Sequence, residues 1–143
     1  MHMSDIIINI KGVQAHAGGQ EKTEITTAGS LVLRGDKDTI SYGAMDGEEG
    51  LPEYTELIVD EKTVTMKKFG PEEAEFVFEH GKVYYAMHDT PFGSIEMIVY
   101  PTLVDVKLSD YIGKIELEYV LDIAGVQTVN RLCVSYAQEL AER

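Results

Sequence analysis

The strictest constraint in this sequence is a rhythm of two. Between Ile115 and Ile123 the chain sets Ile115, Leu117, Tyr119, Leu121 and Ile123 against Glu116, Glu118, Val120 and Asp122. That alternation suits a strand with one buried face rather than a helix. Glu116, Glu118 and Asp122 share one parity, so they form a solvated line of carboxylates and not a paired acid and base. After Gly125, Leu132, Val134 and Tyr136 alternate with Arg131, Cys133 and Ser135. Asp122 to Gln127 is therefore read as a hairpin turn.

The same reading extends backwards. Phe76 and Phe78 face one way, His80-Gly81 turns, and an aromatic strand runs from Lys82 to His88 with Val83, Tyr85 and Met87 on its apolar parity. Leu57 and Val59 lead through Asp60-Glu61-Lys62 to Val64 and Met66. Gly18-Gly19 separates a strand at Ile6 to Ala15 from another at Glu24 to Arg34, and Gly35-Asp36 connects onward to Thr39 to Tyr42. Ile95 to Leu108 is long for one strand, and Pro101 cannot donate to a ladder, so a bulge or edge kink is expected there. The loop at Pro71 to Ala74 leads into a strand. These nine or ten strands, joined by short turns without helical crossovers, predict an all-β fold, an antiparallel meander closed into a barrel. One domain is expected over 4–137, with 138–143 as a frayed tail, and Met1-His2 ahead of Met3 reads as a cloning remnant.

Charge narrows the partners. With 12 Lys and Arg against 25 Asp and Glu in 143 residues, the net charge is −13, which repels polyanions. Nucleic acid and anionic membrane surfaces need a basic footprint, so neither is expected as a partner. Cys133 is the only cysteine, so no intramolecular disulfide and no zinc ribbon can form. The run Ile6-Ile7-Ile8 is broken by Asn9 and Lys11, too short for a signal-peptide core or a membrane span. A cytoplasmic protein fits these facts.

Motifs for chemistry are sparse. The chain has no GxxxxGK[ST], no GxGxxG and no GxSxG. The acidic loop Gly43 to Glu53 holds Asp46, Glu48 and Glu49, but its spacing does not match a calcium-wrapping loop. His80, His88 and Asp89 are the best acid-base or metal group, because imidazole titrates near neutrality and a carboxylate can orient it. His80 and His88 nevertheless stand at opposite ends of one strand, roughly 25 Å apart at about 3.3 Å per residue. No catalytic residue, metal site or cofactor is assigned. Eight tyrosines and no tryptophan direct attention to a pocket, since a tyrosine presents apolar area with one polar tip. Tyr42, Tyr85, His88 and Tyr119 are the candidate ligand-binding residues.

Asp89-Thr90-Pro91-Phe92-Gly93 is the most distinctive peptide; Pro91 and Gly93 describe a β-turn that Asp89 can tighten. That peptide through Glu96, together with Gly113 to Tyr119 and Leu121 to Gly125, resembles the YwiB-like domain of unknown function. The resemblance runs from about Ile6 to Tyr136. It implies a small bacterial protein with a lipocalin-like (calycin) β-barrel and carries no assigned activity. True lipocalins mark their first strand with Gly-x-Trp, which this chain lacks.

The expected function is a non-catalytic barrel that binds a small apolar or amphipathic ligand. The rival is a protein interaction module using the acidic surface or the Gly43 to Glu53 loop. An enzyme assembled from scattered residues has only His88 and Asp89 as named candidates.

Overall fold

The computed structural model describes residues 2–44, 53–70 and 73–139, and in them the rhythm of two becomes ten strands. They are β1 (His2–His16), β2 (Gly19–Leu33), β3 (Asp38–Ala44), β4 (Glu53–Asp60), β5 (Thr63–Phe69), β6 (Ala74–Glu79), β7 (Tyr84–Thr90), β8 (Gly93–Leu108), β9 (Ile112–Ile123) and β10 (Val126–Gln138). All pairs are antiparallel, in the order β6-β5-β4-β3-β2-β1-β10-β9-β8-β7. Each ladder joins consecutive strands except β1 with β10, which runs from Ile6 opposite Gln138 to Ala15 opposite Val129. The sheet curls until β6 and β7 face each other, leaving a nearly closed barrel. Among the described residues that seam is bridged by backbone only at Glu79 and Lys82, where Lys82 N donates to Glu79 O at 3.0 Å.

One parity of every strand fills the interior. Ile6, Ile8, Leu31, Ile40, Leu57, Val64, Val99, Ile115, Leu117 and Val134 have no exposure at all, and Phe78 reaches across from β6 until its ring lies 4.8 Å from that of Tyr119 on β9. Each such side chain contributes about 1.5–3 kcal/mol relative to exposure. Glu116 and Glu118 face out, where Glu118 meets Arg131 at 3.0 Å through Nε. The ladder between β8 and β9 shifts register between Pro101 and Leu103, so the bulge expected at Pro101 is present.

Several boundaries differ from the sequence reading. β2 begins at Gly19, not Glu24, because the hairpin closes directly on His16 opposite Gly19. The β9 to β10 turn is only Ala124-Gly125, both with positive φ (52° and 88°), and Asp122 Oδ1 accepts from Gly125 N at 2.8 Å. β10 runs through Gln138, Glu139 N donates to Asp5 O at 2.9 Å, and His2 already pairs with Leu33.

The largest correction concerns β7. Cross-strand partners share a face, and Tyr84 and Ala86 lie opposite the buried Val99 and Met97. Tyr84 and Ala86 therefore point inward, while Val83, Tyr85 and Met87 are 44%, 65% and 63% exposed. The strand is apolar on both faces, so its own sequence does not reveal which one is covered.

At the end of the barrel that holds the β8 to β9 turn, the Tyr136 hydroxyl donates to Ser109 O at 2.6 Å and accepts from Ser109 N at 3.2 Å. Its ring lies over Gly113, its direct cross-strand partner, where an added Cβ would land within the ring. Gly113→Ala is accordingly expected to cost about 1–3 kcal/mol by overpacking. Tyr136→Phe, which leaves the Ser109 groups open to water, should cost about 1 kcal/mol. Urea unfolding of both variants checks the order.

Candidate ligand site

Above the apolar core the inner face turns polar along a single row. Tyr119 on β9 stands opposite Asn130 on β10, Asn130 opposite Gln14 on β1, and Gln14 opposite Glu21 on β2. Pro101 on β8 extends the row beyond Tyr119. The next row down is Leu117, Leu132, Gly12 and Thr23. Gly12 brings bare backbone to the inner face, and a Cβ there would stand 2.9 Å from Thr23 Oγ1, so only glycine fits without moving Thr23. A hollow of about 200 Å³ lies here, lined by Gly12, Gln14, Glu21, Thr23, Tyr119, Asn130 and Leu132 together with Val13 and Arg131.

Two groups in this row lack full partners. Asn130 is only 8% exposed, yet its Nδ2 donates within its own strand, to Thr128 Oγ1 at 2.9 Å and more weakly to Thr128 O. Among the described residues nothing donates to its Oδ1. Burial raises the Tyr119 hydroxyl above the ordinary tyrosine range, and no hydrogen bond among the described residues offsets it. Asn130 Oδ1 is thus a buried acceptor, and Tyr119 a partly buried hydroxyl, that stand beside the hollow without a protein partner among the described residues.

Larger hollows exist elsewhere but present no such demand. One of about 600 Å³ lies over the outer face of β4 to β6, where Lys67 and Glu75 pair in solvent. Another of about 520 Å³ lies beside the β8 to β9 turn, where the Tyr136 hydroxyl is already matched by Ser109.

The candidate residues distribute unevenly. Tyr119 is in the row. Tyr42 points inward from β3 and packs against the core, its hydroxyl raised by burial and partly lowered by a hydrogen bond with Thr55. Tyr85 points outward from β7, because its neighbours Tyr84 and Ala86 take the inner face. The side chains of His88 and Asp89, and the loop carboxylates Asp46, Glu48 and Glu49, lie outside the described residues. Among the described residues no group of three or more His, Cys, Asp or Glu is placed to hold a metal ion. Gln14, Glu21, Thr23, Asn130 and Gly12 escaped the sequence reading, although Asn130 interrupts the apolar parity of Leu132, Val134 and Tyr136, and Gln14 that of Ile6, Ile8 and Ile10.

This barrel has relatives of known shape. A family profile described as a domain of unknown function, DUF1934, matches residues 8–132. The chain belongs to this family. The DUF1934 domain also superposes on the crystal structure of the ywiB protein from Bacillus subtilis with a TM-score of 0.82 at 22% identity, covering 96% of this chain and 94% of that one. At that identity the likeness establishes the fold. No curated protein matches this chain. Among its described residues no helix is long and apolar enough to cross a membrane.

The tyrosines give this site and its surroundings a pH signature. Burial raises Tyr42, Tyr84, Tyr119 and Tyr136, with the charge of Glu75 adding at Tyr84. The folded chain holds these protons to higher pH than the unfolded chain does. The stability they provide is complete below about pH 10, where unfolded tyrosines ionise, and is lost as the pH rises beyond it. Urea midpoints measured across that range should fall on the alkaline side, and tyrosinate absorbance should rise in a late phase that urea abolishes.

Proposed function

We propose that this DUF1934 barrel is a non-catalytic binding protein for a small amphipathic molecule, held at the polar row above its core. The observation that carries the reading is the buried Asn130, whose Oδ1 has no donor among the described residues, in the hollow floored by Gly12. About 200 Å³ is the bulk volume of roughly six or seven waters, so the guest is smaller than a drug-sized ligand. Asn130 Oδ1 and the Glu21 carboxylate accept hydrogen bonds, and Tyr119 can donate or accept. A guest head bearing N–H or O–H donors, such as an ammonium, amide or hydroxyl, suits that set. Its apolar part would lie against Leu132 and the ring of Tyr119.

No nucleophile and base stand together in the row, which favours binding over turnover. The reading sets the protein in the cytoplasm, where its one cysteine stays reduced, and its charge of −13 argues against nucleic acid or an anionic membrane as the partner.

Native mass spectrometry of freshly purified protein tests this directly. A retained small molecule is expected on the wild type and absent from Asn130→Leu, which replaces the amide and its unmatched oxygen with an apolar group. The same variant should keep its stability to within about 1 kcal/mol, since removal of the buried oxygen that the ligand-free fold leaves unsatisfied offsets the lost bonds to Thr128. Should the wild type carry no guest, short-chain amines, alcohols and amides at about 100 times their dissociation constant should stabilise it by about 2.7 kcal/mol. A bare wild type that no such compound stabilises overturns the reading.

A further inference from the structure

Among the described residues the outer edge of β2 is open for most of its length. β3 pairs only with Gly29 to Val32, so among the described residues Gly19 to Ala28 have β1 on one side and no strand on the other. Every side chain from Gly19 to Thr26 is exposed, including Ile25 at 54%. An edge of this length is a template for a further strand unless something guards or covers it. We propose that a second copy of this chain covers it, the two β2 strands pairing antiparallel about a two-fold axis through Thr23.

The register follows from the backbone. The hairpin of β1 and β2 closes through the two-residue loop Ala17-Gly18, so the flanking pair His16 and Gly19 exchanges its hydrogen bonds. Alternation then turns the odd-numbered residues of β2 toward β1 and leaves Gln20, Lys22, Glu24 and Thr26 with their N–H and C=O groups facing outward. A symmetric partner must place these outward residues opposite one another. Centred on Lys22, the pairing sets Lys22 against itself; centred on Glu24, it sets Glu24 against itself. Only the register centred on Thr23 between them places Lys22 opposite the partner's Glu24, twice over, and opposite charges directly across a pair stabilise where like charges destabilise.

Neighbouring groups agree with that choice. Asn9 on β1 donates to Glu24 Oε2 at 2.9 Å and to Thr26 Oγ1 at 3.1 Å, which holds the carboxylate on the outer face alongside Lys22. On the inner face the same register sets the partner's Ile25 opposite Glu21 and the partner's Thr23 opposite Thr23, two residues that line the 200 Å³ hollow. The second copy thus extends the wall of that hollow. The edge segment carries Lys22 among Glu21 and Glu24, so little of the chain's negative charge is concentrated where the copies meet.

Sedimentation velocity of the full chain at about 0.15 M salt, where the Debye length is about 8 Å and the overall repulsion between copies is screened, tests the pairing. The wild type should sediment at twice the chain mass. Lys22→Glu, which puts like charges opposite one another at both places, should weaken the dimer by about tenfold or more. Combining it with Glu24→Lys exchanges the charges and should return the wild-type dimer, with circular dichroism unchanged throughout. A wild type that stays at chain mass overturns the proposal and leaves the edge to a foreign strand. So does a dimer indifferent to Lys22→Glu, or a charge-exchanged variant that remains monomeric. None of these results bears on whether the hollow holds a guest.

Discussion

The fold hangs on the ladder between β1 and β10. Every other pairing joins neighbours in the chain, so the six strands from β1 to β6 and the four from β7 to β10 would be two separate meanders without it. It also carries much of the core, since Ile8 opposite Tyr136 and Ile10 opposite Val134 are all on the buried face. Closing it requires the two ends of the chain to meet, and the loop entropy of that closure is repaid only once the apolar rows on both sides are in contact. β1 is the strand that both halves need, because its other edge bears β2 along its whole length.

The side-chain rhythm was legible wherever one face is apolar and the other charged. β9 is the plainest case: Ile115 and Leu117 are fully buried, and Glu116 and Glu118 lie on the other face. β7 was not legible, because Tyr84 and Ala86 compete with Val83, Tyr85 and Met87, and only pairing with Val99 and Met97 decides between them. The polar row was invisible for a related reason. Tyr119, Asn130, Gln14 and Glu21 are scattered in the sequence and become one line only when three ladders fix their registers. Each residue did carry a local sign, a polar group on an apolar parity, but strand ends commonly lose their pattern, and the sign gains meaning only when several line up.

The same row interrupts the apolar packing. The barrel is densely apolar from Ile115 to Leu117 on β9, then admits Asn130 and the Tyr119 hydroxyl with incomplete hydrogen bonding, and sets Gly12 against the Thr23 hydroxyl. Gly113 shows that glycine has a different purpose at the opposite end, since there the ring of Tyr136 occupies the vacated space. The two glycines, on β1 and β9, thus differ in what covers them: an aromatic ring lies over Gly113, and the Thr23 hydroxyl stands against Gly12.

The seam between β6 and β7 has a consequence for how the chain could be reordered. These strands follow one another in sequence yet among the described residues form no ladder beyond the Glu79 and Lys82 bridge, whereas β1 and β10 are laddered from Ile6 to Ala15. A circular permutant that begins at β7, links β10 to β1 through a short flexible tether and ends at β6 would read its strands in their spatial order from one edge of the sheet to the other. Every ladder would then be a local hairpin, and the only long-range demand left on the chain would be to bring the two free edges round to face each other.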